Sequence, residues 1–337
     1  MNVRPRILLT HTADMRRNYY GARALAGLQA VGEVVLHEGP EPLSTPALTA
    51  AGQGCQVIVA DRATPCEAAL FAGLPGLVAV CRVAVDIRNI DVEAASTHGV
   101  LVTQASRSWV PAVSELAIGL MIDAARGISR ADAAYKTGRM PEAGTGRQLA
   151  GSAAGIIGYG PLGQRVAELA LAFGMTVLVN DPYVTVEHDR IEQVELDDLL
   201  KRSDFVLPLA VATEETENLI GAAQLRLMRT DALLINLSRG NLIDEAALAA
   251  ALDDKRIAGA ALDVGRAPDQ MPSPHLARRP DVVATPHMAG LTQPAIEGQA
   301  LETVAQVAEI VQGRTPPGAV NANRASRPLR ESGHLRS

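Results

Sequence analysis

Three glycines and an aspartate carry the first chemical signal in this 337-residue chain. The segment A-A-G-I-I-G-Y-G-P-L-G-Q-R-V-A-E-L-A sets Gly158, Gly160 and Gly163 in a G-x-G-x-x-G spacing, after an apolar run and before an amphipathic one. The first glycine of such a turn makes the tight bend, and the second lets backbone approach a pyrophosphate. The third lets helix and strand pack closely. Tyr159, Pro161 and Leu162 complete the turn, and the helix that opens there offers N–H groups and a positive dipole end to phosphates. Eighteen residues past Gly163, the run T-V-L-V-N-D ends in Asp181. A carboxylate there accepts hydrogen bonds from ribose hydroxyls and repels a 2′-phosphate. Glycines alone are compatible with an ordinary turn, and Asp181 before Pro182 with a turn start. Strand, glycines, helix and acid in register read as a site for NAD rather than NADP.

The elements that must position this turn alternate along the chain. Ile7–Leu9, Val34–Leu36, Val57–Val59, Leu77–Val80 and Val100–Val102 read as strands, with a helical segment over Tyr20–Ala30. Pro111–Arg126 is helical by its three-and-four spacing, and a polar, glycine-containing stretch follows over Lys136–Gly151. A second series then places strands at Ala154–Gly158, Thr176–Asn180, Phe205–Leu207, Leu233–Asn236, Gly259–Asp263 and Val282–Ala284. Helix resumes over Ala295–Val311, and the tail from about Thr315 reads as a poorly ordered, solvated end. Unbroken apolar strands between helices imply parallel sheets covered on both faces. A chain of this length exceeds what one core usually organises, so two domains are expected.

Composition removes several classes of function. A net charge of −6 argues against a binder of nucleic-acid backbone, and 3% aromatics leave little for base stacking. No run of 18 apolar residues is present, and the start M-N-V-R-P-R-I-L-L-T lacks the apolar core of a signal peptide. Cys55, Cys66 and Cys81 form no C-x-x-C pair and read as ordinary thiols. The expectation is a cytoplasmic protein with a small-molecule substrate, no membrane or nucleic-acid partner and no metal site.

From about Arg82 to Thr292 the chain resembles the D-isomer-specific 2-hydroxyacid dehydrogenase family. The resemblance rests on G-I-I-G-Y-G-P-L-G, L-I-N-L-S-R-G-N-L-I-D-E-A-A-L, I-A-G-A-A-L-D-V and V-V-A-T-P-H-M-A-G, in that order. It implies two doubly wound parallel-sheet domains of α/β class. A Rossmann cofactor domain (105–289) would be inserted in a flavodoxin-like substrate domain (1–104 plus 290–337), with the active site in the cleft between them. It also implies a homodimer and hydride transfer between NAD(H) and a small D-2-hydroxy acid. Arg239 in N-L-S-R-G matches the substrate-binding arginine, whose planar guanidinium holds a carboxylate through two parallel N–H bonds. His287 in T-P-H matches the general acid/base, a role suited to an imidazole, which titrates near pH ~6.5. Asp263 in A-L-D-V matches the acceptor for the nicotinamide carboxamide. Formate or phosphite oxidation on the same scaffold, and an NAD-sensing interaction protein without turnover, are the alternatives.

Two departures stand out. The family pairs its histidine with a Glu shortly after A-L-D-V, whereas this chain reads D-V-G-R-A-P-D-Q-M-P. Allowing one inserted residue, Asp269 takes the Glu position, and its carboxylate is expected to orient His287, the alternative being a loop aspartate with no role. The family's substrate loop, roughly R-V-G-V-G-x-D-N-I-D, is here R-V-A-V-D-I-R-N-I-D. Ala84 and Asp86 replace glycines, and Arg88 replaces the acid, with Val85 between them. Either Arg88 neutralises Asp86 in an ion pair, or Asp86 faces the substrate and selects a hydroxyl-rich or cationic group. Trp109 reads as a pocket wall or as packing, His11 as a loop histidine, and Glu115 as a structural acid near a helix start.

Overall fold

Short runs of Val, Ile, Leu and Ala build twelve strands, all paired in parallel, in a computed structural model that describes residues 4–327. The chain divides into two units, one running to Ser108 and resuming at Gln293, the other spanning Trp109–Thr292.

The first unit holds β1 (Arg6–Leu9), β2 (Glu33–Leu36), β3 (Val57–Ala60), β4 (Ala79–Arg82) and β5 (Leu101–Gln104) in the order β2-β1-β3-β4-β5. Alternate residues feed two cores, as the period of two along a strand requires. Leu8, Ile58, Val80 and Val102 join Leu48, Leu70 and Phe71 on one face. Ile7, Leu9, Val57, Val59 and Cys81 join Leu28, Ala300 and Val307 on the other. This is the flavodoxin-like order, with helices on both sides.

The second unit holds β6 (Ala153–Ile157), β7 (Thr176–Asn180), β8 (Ile191–Gln193), β9 (Phe205–Pro208), β10 (Leu233–Asn236), β11 (Gly259–Leu262) and β12 (Val282–Ala284). Their order is β12-β11-β10-β9-β6-β7-β8. Helix Val110–Arg126 lays Val113, Ala117, Ile118 and Met121 on Ala154, Ile156, Val177, Phe205 and Leu207. Leu178, Val206, Leu234 and Leu262 meet Leu199, Leu200, Leu248 and Leu252 on the opposite face. Strand order reverses at β6 and β9, which opens a crevice at the carboxyl ends of the strands, where doubly wound sheets take their ligands.

The expected fold class is the one observed. Three local expectations change. β8 is absent from the sequence reading because Glu192 and Gln193 are polar and exposed on an edge strand. Helix Ile128–Lys136 extends helical structure up to the polar stretch that was read as starting at Lys136. The described part of the tail, up to Arg327, is tied down. Ala319 bridges Thr103, and the buried Asn321 side chain accepts from the Val102 amide at 2.8 Å and donates to the Val100 carbonyl. The remainder of that tail lies outside the described residues.

Candidate active site

The glycine turn follows β6 directly. Gly158 has φ +99°, a backbone that favours glycine, and a Cβ there would also lie 2.7 Å from the Ala210 amide. At Gly163 a Cβ would lie 2.1 Å from the Gly158 carbonyl oxygen, so helix and strand approach closely only because it is glycine. Gly160 differs: its φ is −70°, and a Cβ would meet no atom within 4 Å. Helix Pro161–Ala172 starts at once, with a proline that has no N–H to leave unpaired and the Leu162 and Gly163 amides in its first turn. Asp181, at the end of β7, accepts from the Tyr159 amide at 2.7 Å and from the Tyr183 amide at 2.9 Å. The carboxylate is thereby fixed beside the glycine turn.

Three further residues sit just past the carboxyl ends of adjacent strands. Arg239 follows β10, is exposed, and donates to the Ser238 carbonyl at 2.8 Å, while the Asn236 side chain donates to the Arg239 carbonyl at 2.9 Å. The turn it opens packs so tightly that a Cβ on Gly240 would lie 2.1 Å from the Gly265 carbonyl oxygen. Asp263 follows β11 and is fully buried. Its Oδ1 accepts from the Thr285 hydroxyl at 2.6 Å and the Met288 amide at 2.9 Å, and its Oδ2 from the Ala289 amide at 3.0 Å. One lone pair on Oδ2 is left for any further donor. The carboxylate thus clamps residues 285–289, and the Asp263 carbonyl accepts from the His287 amide.

His287 follows β12 in a left-handed conformation, φ +53°. Its Nδ1 lies 2.7 Å from the backbone carbonyl oxygen of Asp269. The contact expected from the Asp269 carboxylate is therefore made by its main chain. Asp269 itself has φ +58°, which turns that carbonyl inward and leaves the side chain exposed. Thr285 and Gly265 were not singled out from the sequence. Thr285 stands inside the T-P-H block that drew attention to His287, whereas no pattern marks Gly265.

In the first unit, the Ala84–Arg88 loop follows β4. Arg88 grips Asp86 through Nε at 3.0 and 3.1 Å, through Nη2 at 2.7 Å, and through its amide at 3.0 Å. These bonds hold the Asp86 carboxyl far below the usual carboxylate range. Ala84 is buried, and its carbonyl accepts from the Ala105 amide. Arg62, Asp86, Arg88 and Asn89 line a cavity of about 290 Å³. Beneath it, the fully buried Arg82 donates to the carbonyls of Asp61 and Thr64 and to Asn89 Oδ1. His11 lies in the loop after β1, but it is buried, 3% exposed, and its ring meets that of Tyr20 at a tilt with centroids 5.0 Å apart. Burial pushes its pKa down to about 4 against the pull of Asp61. Trp109 caps helix Val110–Arg126 and packs on the core beneath it, and Glu115 is exposed in that helix.

Residues 118–289 match the family model described as D-isomer specific 2-hydroxyacid dehydrogenase, NAD binding domain. A glyoxylate reductase of Korarchaeum cryptofilum is 31% identical over 327 residues, covering 95% of this chain and 96% of that protein. The chain belongs to the D-isomer-specific 2-hydroxyacid dehydrogenase family. A D-3-phosphoglycerate dehydrogenase of Methanocaldococcus jannaschii is 37% identical over 246 residues, 72% of this chain, and the match spans 46% of that longer relative. The solved structure of a D-2-hydroxyisocaproate dehydrogenase superposes with a TM-score of 0.82 at 24% identity, covering 94% of this chain and 99% of the other, a likeness of fold. Members of this dehydrogenase family are NAD-dependent oxidoreductases, and the unit spanning Trp109–Thr292 contains the family's NAD-binding domain.

Proposed function

We propose that this dehydrogenase interconverts a small 2-oxo acid and its D-2-hydroxy acid, with Arg239 holding the carboxylate and His287 exchanging the proton on the C2 oxygen. The observation that carries this reading is positional. The glycine turn, Asp181, Arg239, Asp263 and His287 all lie at the carboxyl edge of one parallel sheet, after β6, β7, β10, β11 and β12. The residues fit NAD. Gly160 offers open space where a pyrophosphate would lie, the helix N-terminus faces it, and the Asp181 carboxylate stands ready for ribose hydroxyls.

When bound, the cofactor supplies or accepts the hydride at C2. In the reductive direction the Arg239 guanidinium binds the carboxylate through paired N–H bonds and draws charge toward the carbonyl oxygen. His287 gives that oxygen its proton, so the C2 carbonyl gains one hydride and one proton. Asp263 acts chiefly on the protein, pinning the segment that carries His287, with its last lone pair available to the carboxamide. For the Ala84–Arg88 loop of the first unit we propose a part in substrate selection. The Arg88–Asp86 pairing supports the neutralised-loop reading and leaves Arg62 as the net charge of the adjoining cavity.

NADH oxidation followed with glyoxylate, hydroxypyruvate and pyruvate tests the reading. Turnover with one of them, lost in Arg239→Gln and His287→Asn, is the expected result; NADH binding without turnover would point to a sensor instead. Ile128, Tyr135 and Met140 expose 54%, 63% and 81% of their surfaces on and after helix Ile128–Lys136. This supports a homodimer formed through the second unit, to be measured by light scattering. The three thiols are buried and unpaired, in keeping with a cytoplasmic setting. No described helix is long and apolar enough to cross a membrane.

A further inference from the structure

We propose that the backbone carbonyl of Asp269, presented by two consecutive left-handed residues, fixes the acid/base histidine with a proton on Nδ1 and leaves Nε2 to face the substrate oxygen. This rests on the reading of His287 as the proton carrier. A carbonyl oxygen only accepts, so the 2.7 Å contact requires Nδ1 to carry hydrogen whether the ring is neutral or charged. The exchangeable proton then belongs to Nε2. The usual device for this purpose is a carboxylate; here Asp269 points its carboxyl outward and its main chain inward.

The backbone around the contact is unusual in a way that matches this role. Among the described residues, five non-glycine positions have positive φ, and three of them are Asp269, Gln270 and His287, at +58°, +58° and +53°. Such conformations persist where the surroundings over-determine them. The surroundings here are a closed loop. The Gly265 amide donates to the Gln270 carbonyl at 2.8 Å, and the Ala267 amide to the Met271 carbonyl at 3.1 Å. A Cβ on Gly265 would collide with Pro272 Cα at 2.6 Å and the Met271 carbonyl oxygen at 2.7 Å, so the loop closes only over glycine. From the other side, the Asp263 carboxylate and carbonyl hold residues 285–289. Asp269 is thus a positioning residue that acts through its peptide group.

The test separates side chain from main chain. Asp269→Asn keeps a residue type that tolerates positive φ, whereas the β-branched Asp269→Val does not. If the carbonyl does the positioning, Asp269→Val loses about 10²-fold in kcat/KM relative to Asp269→Asn, in NADH-dependent reduction. The high-pH limb of the Asn variant's kcat/KM profile stays at the wild-type pH. Nitrogen NMR of histidine-labelled enzyme, with His287→Asn for assignment, shows the proton on Nδ1 in the neutral ring. A carboxylate partner would give the opposite result: Asp269→Asn moves that limb to lower pH by a unit or more and loses as much as Asp269→Val. A neutral ring protonated on Nε2 would overturn the proposal even if the Val variant does not fold. Turnover undiminished in His287→Asn would instead refute the acid/base reading, while the tautomer spectrum would still report the carbonyl contact.

Discussion

Alanine at Gly160 and at Gly163 should fail in opposite ways, although the two positions are three residues apart in one motif. At Gly163 the added methyl would lie 2.1 Å from the Gly158 carbonyl oxygen, where carbon–oxygen contacts normally sit near about 3.3–3.6 Å. Both partners are backbone, so helix Pro161–Ala172 must move by more than about 1 Å relative to β6 (the ordinary contact length less the one available). Overpacking of that kind costs about 1–3 kcal/mol or more. For a unit of this size each kcal/mol lowers Tm by about 2–4 °C, so a fall of about 2–12 °C is expected. At Gly160 the backbone already suits alanine, and the methyl meets nothing. Losing glycine as the helix cap costs up to about 1 kcal/mol. The reduced freedom of the unfolded chain returns about 0.4–1 kcal/mol, so Tm stays within about 2–4 °C of wild type. The methyl does occupy the space assigned to the pyrophosphate, and NADH affinity should drop about 10–100-fold, equivalent to about 1.4–2.8 kcal/mol. Calorimetry and NADH fluorescence titration read the two effects separately. Gly160→Ala binding NADH as wild type does would refute the placement of the cofactor. Gly163→Ala melting with wild type would refute the packing argument.

Four other outcomes follow from the same geometry. Asp263→Asn turns an amide donor toward the Met288 or Ala289 amide, so it should cost about 1–3 kcal/mol in thermal melts and lower kcat while NADH binding persists. Arg239→Lys keeps the charge but loses the paired donors, and KM for the oxo acid should rise about 10–100-fold with NADH affinity unchanged in a direct titration. His11 titrates lower in the folded state than in the unfolded chain, so the stability it contributes is present above pH 6.5 and lost as pH falls toward 4. The loss reaches about 3 kcal/mol, and urea melts of His11→Phe should lack that limb. Asp61 does not share this window. Burial would raise its carboxyl, but hydrogen bonds from Thr10 and Thr64 outweigh that and hold it below 3.8. Asp86→Gly leaves Arg88 and Arg62 uncompensated, so relative kcat/KM across a panel of 2-oxo acids should shift toward those with a second anionic group; an unshifted ranking would remove the loop from substrate selection.

Much of the fold was legible because its strands are buried on both faces and therefore unbroken in apolar character. Legibility fails where a polar side chain is buried by partners distant in sequence. The apolar run Leu77–Val80 suggests a strand, but β4 runs Ala79–Arg82, because Arg82 is a strand residue with no exposed surface. Nothing near it in the chain announces the Asp61 and Thr64 carbonyls and the Asn89 amide oxygen that make its burial tolerable. Asn321 is the same case: one side chain bonded to β5 and to Val100 orders a tail whose composition suggests a loose end. At the site, the glycine turn was readable because its residue types are dictated by space. The partner of His287 is not legible in the same way, because a main-chain carbonyl leaves no mark on the side-chain types.

A carbonyl in place of a carboxylate has a physical consequence. A carboxylate that orients an imidazole also favours its charged form, so orientation and proton affinity are coupled. A peptide carbonyl accepts the same Nδ1–H hydrogen bond without carrying a charge or titrating, so the two become separable. The cost is conformational: left-handed backbone at non-glycine residues costs roughly 1–3 kcal/mol each. Asp269 and Gln270 bear that cost, offset in part by the Gly265–Gln270 and Ala267–Met271 hydrogen bonds, each worth about 0.5–1.5 kcal/mol. The loop must therefore be held by the rest of the unit: Glu245 accepts from the Arg266 amide and the Ser273 hydroxyl, Arg266 pairs with Glu217, and Gly240 packs closely on Gly265. That contact also ties the turn bearing Arg239 to the loop that positions His287. A methyl group at Gly240 should consequently disturb substrate binding and proton transfer together, raising KM for the oxo acid and lowering kcat in one variant. Two functions failing independently there would mean that the loop is not the element that joins them.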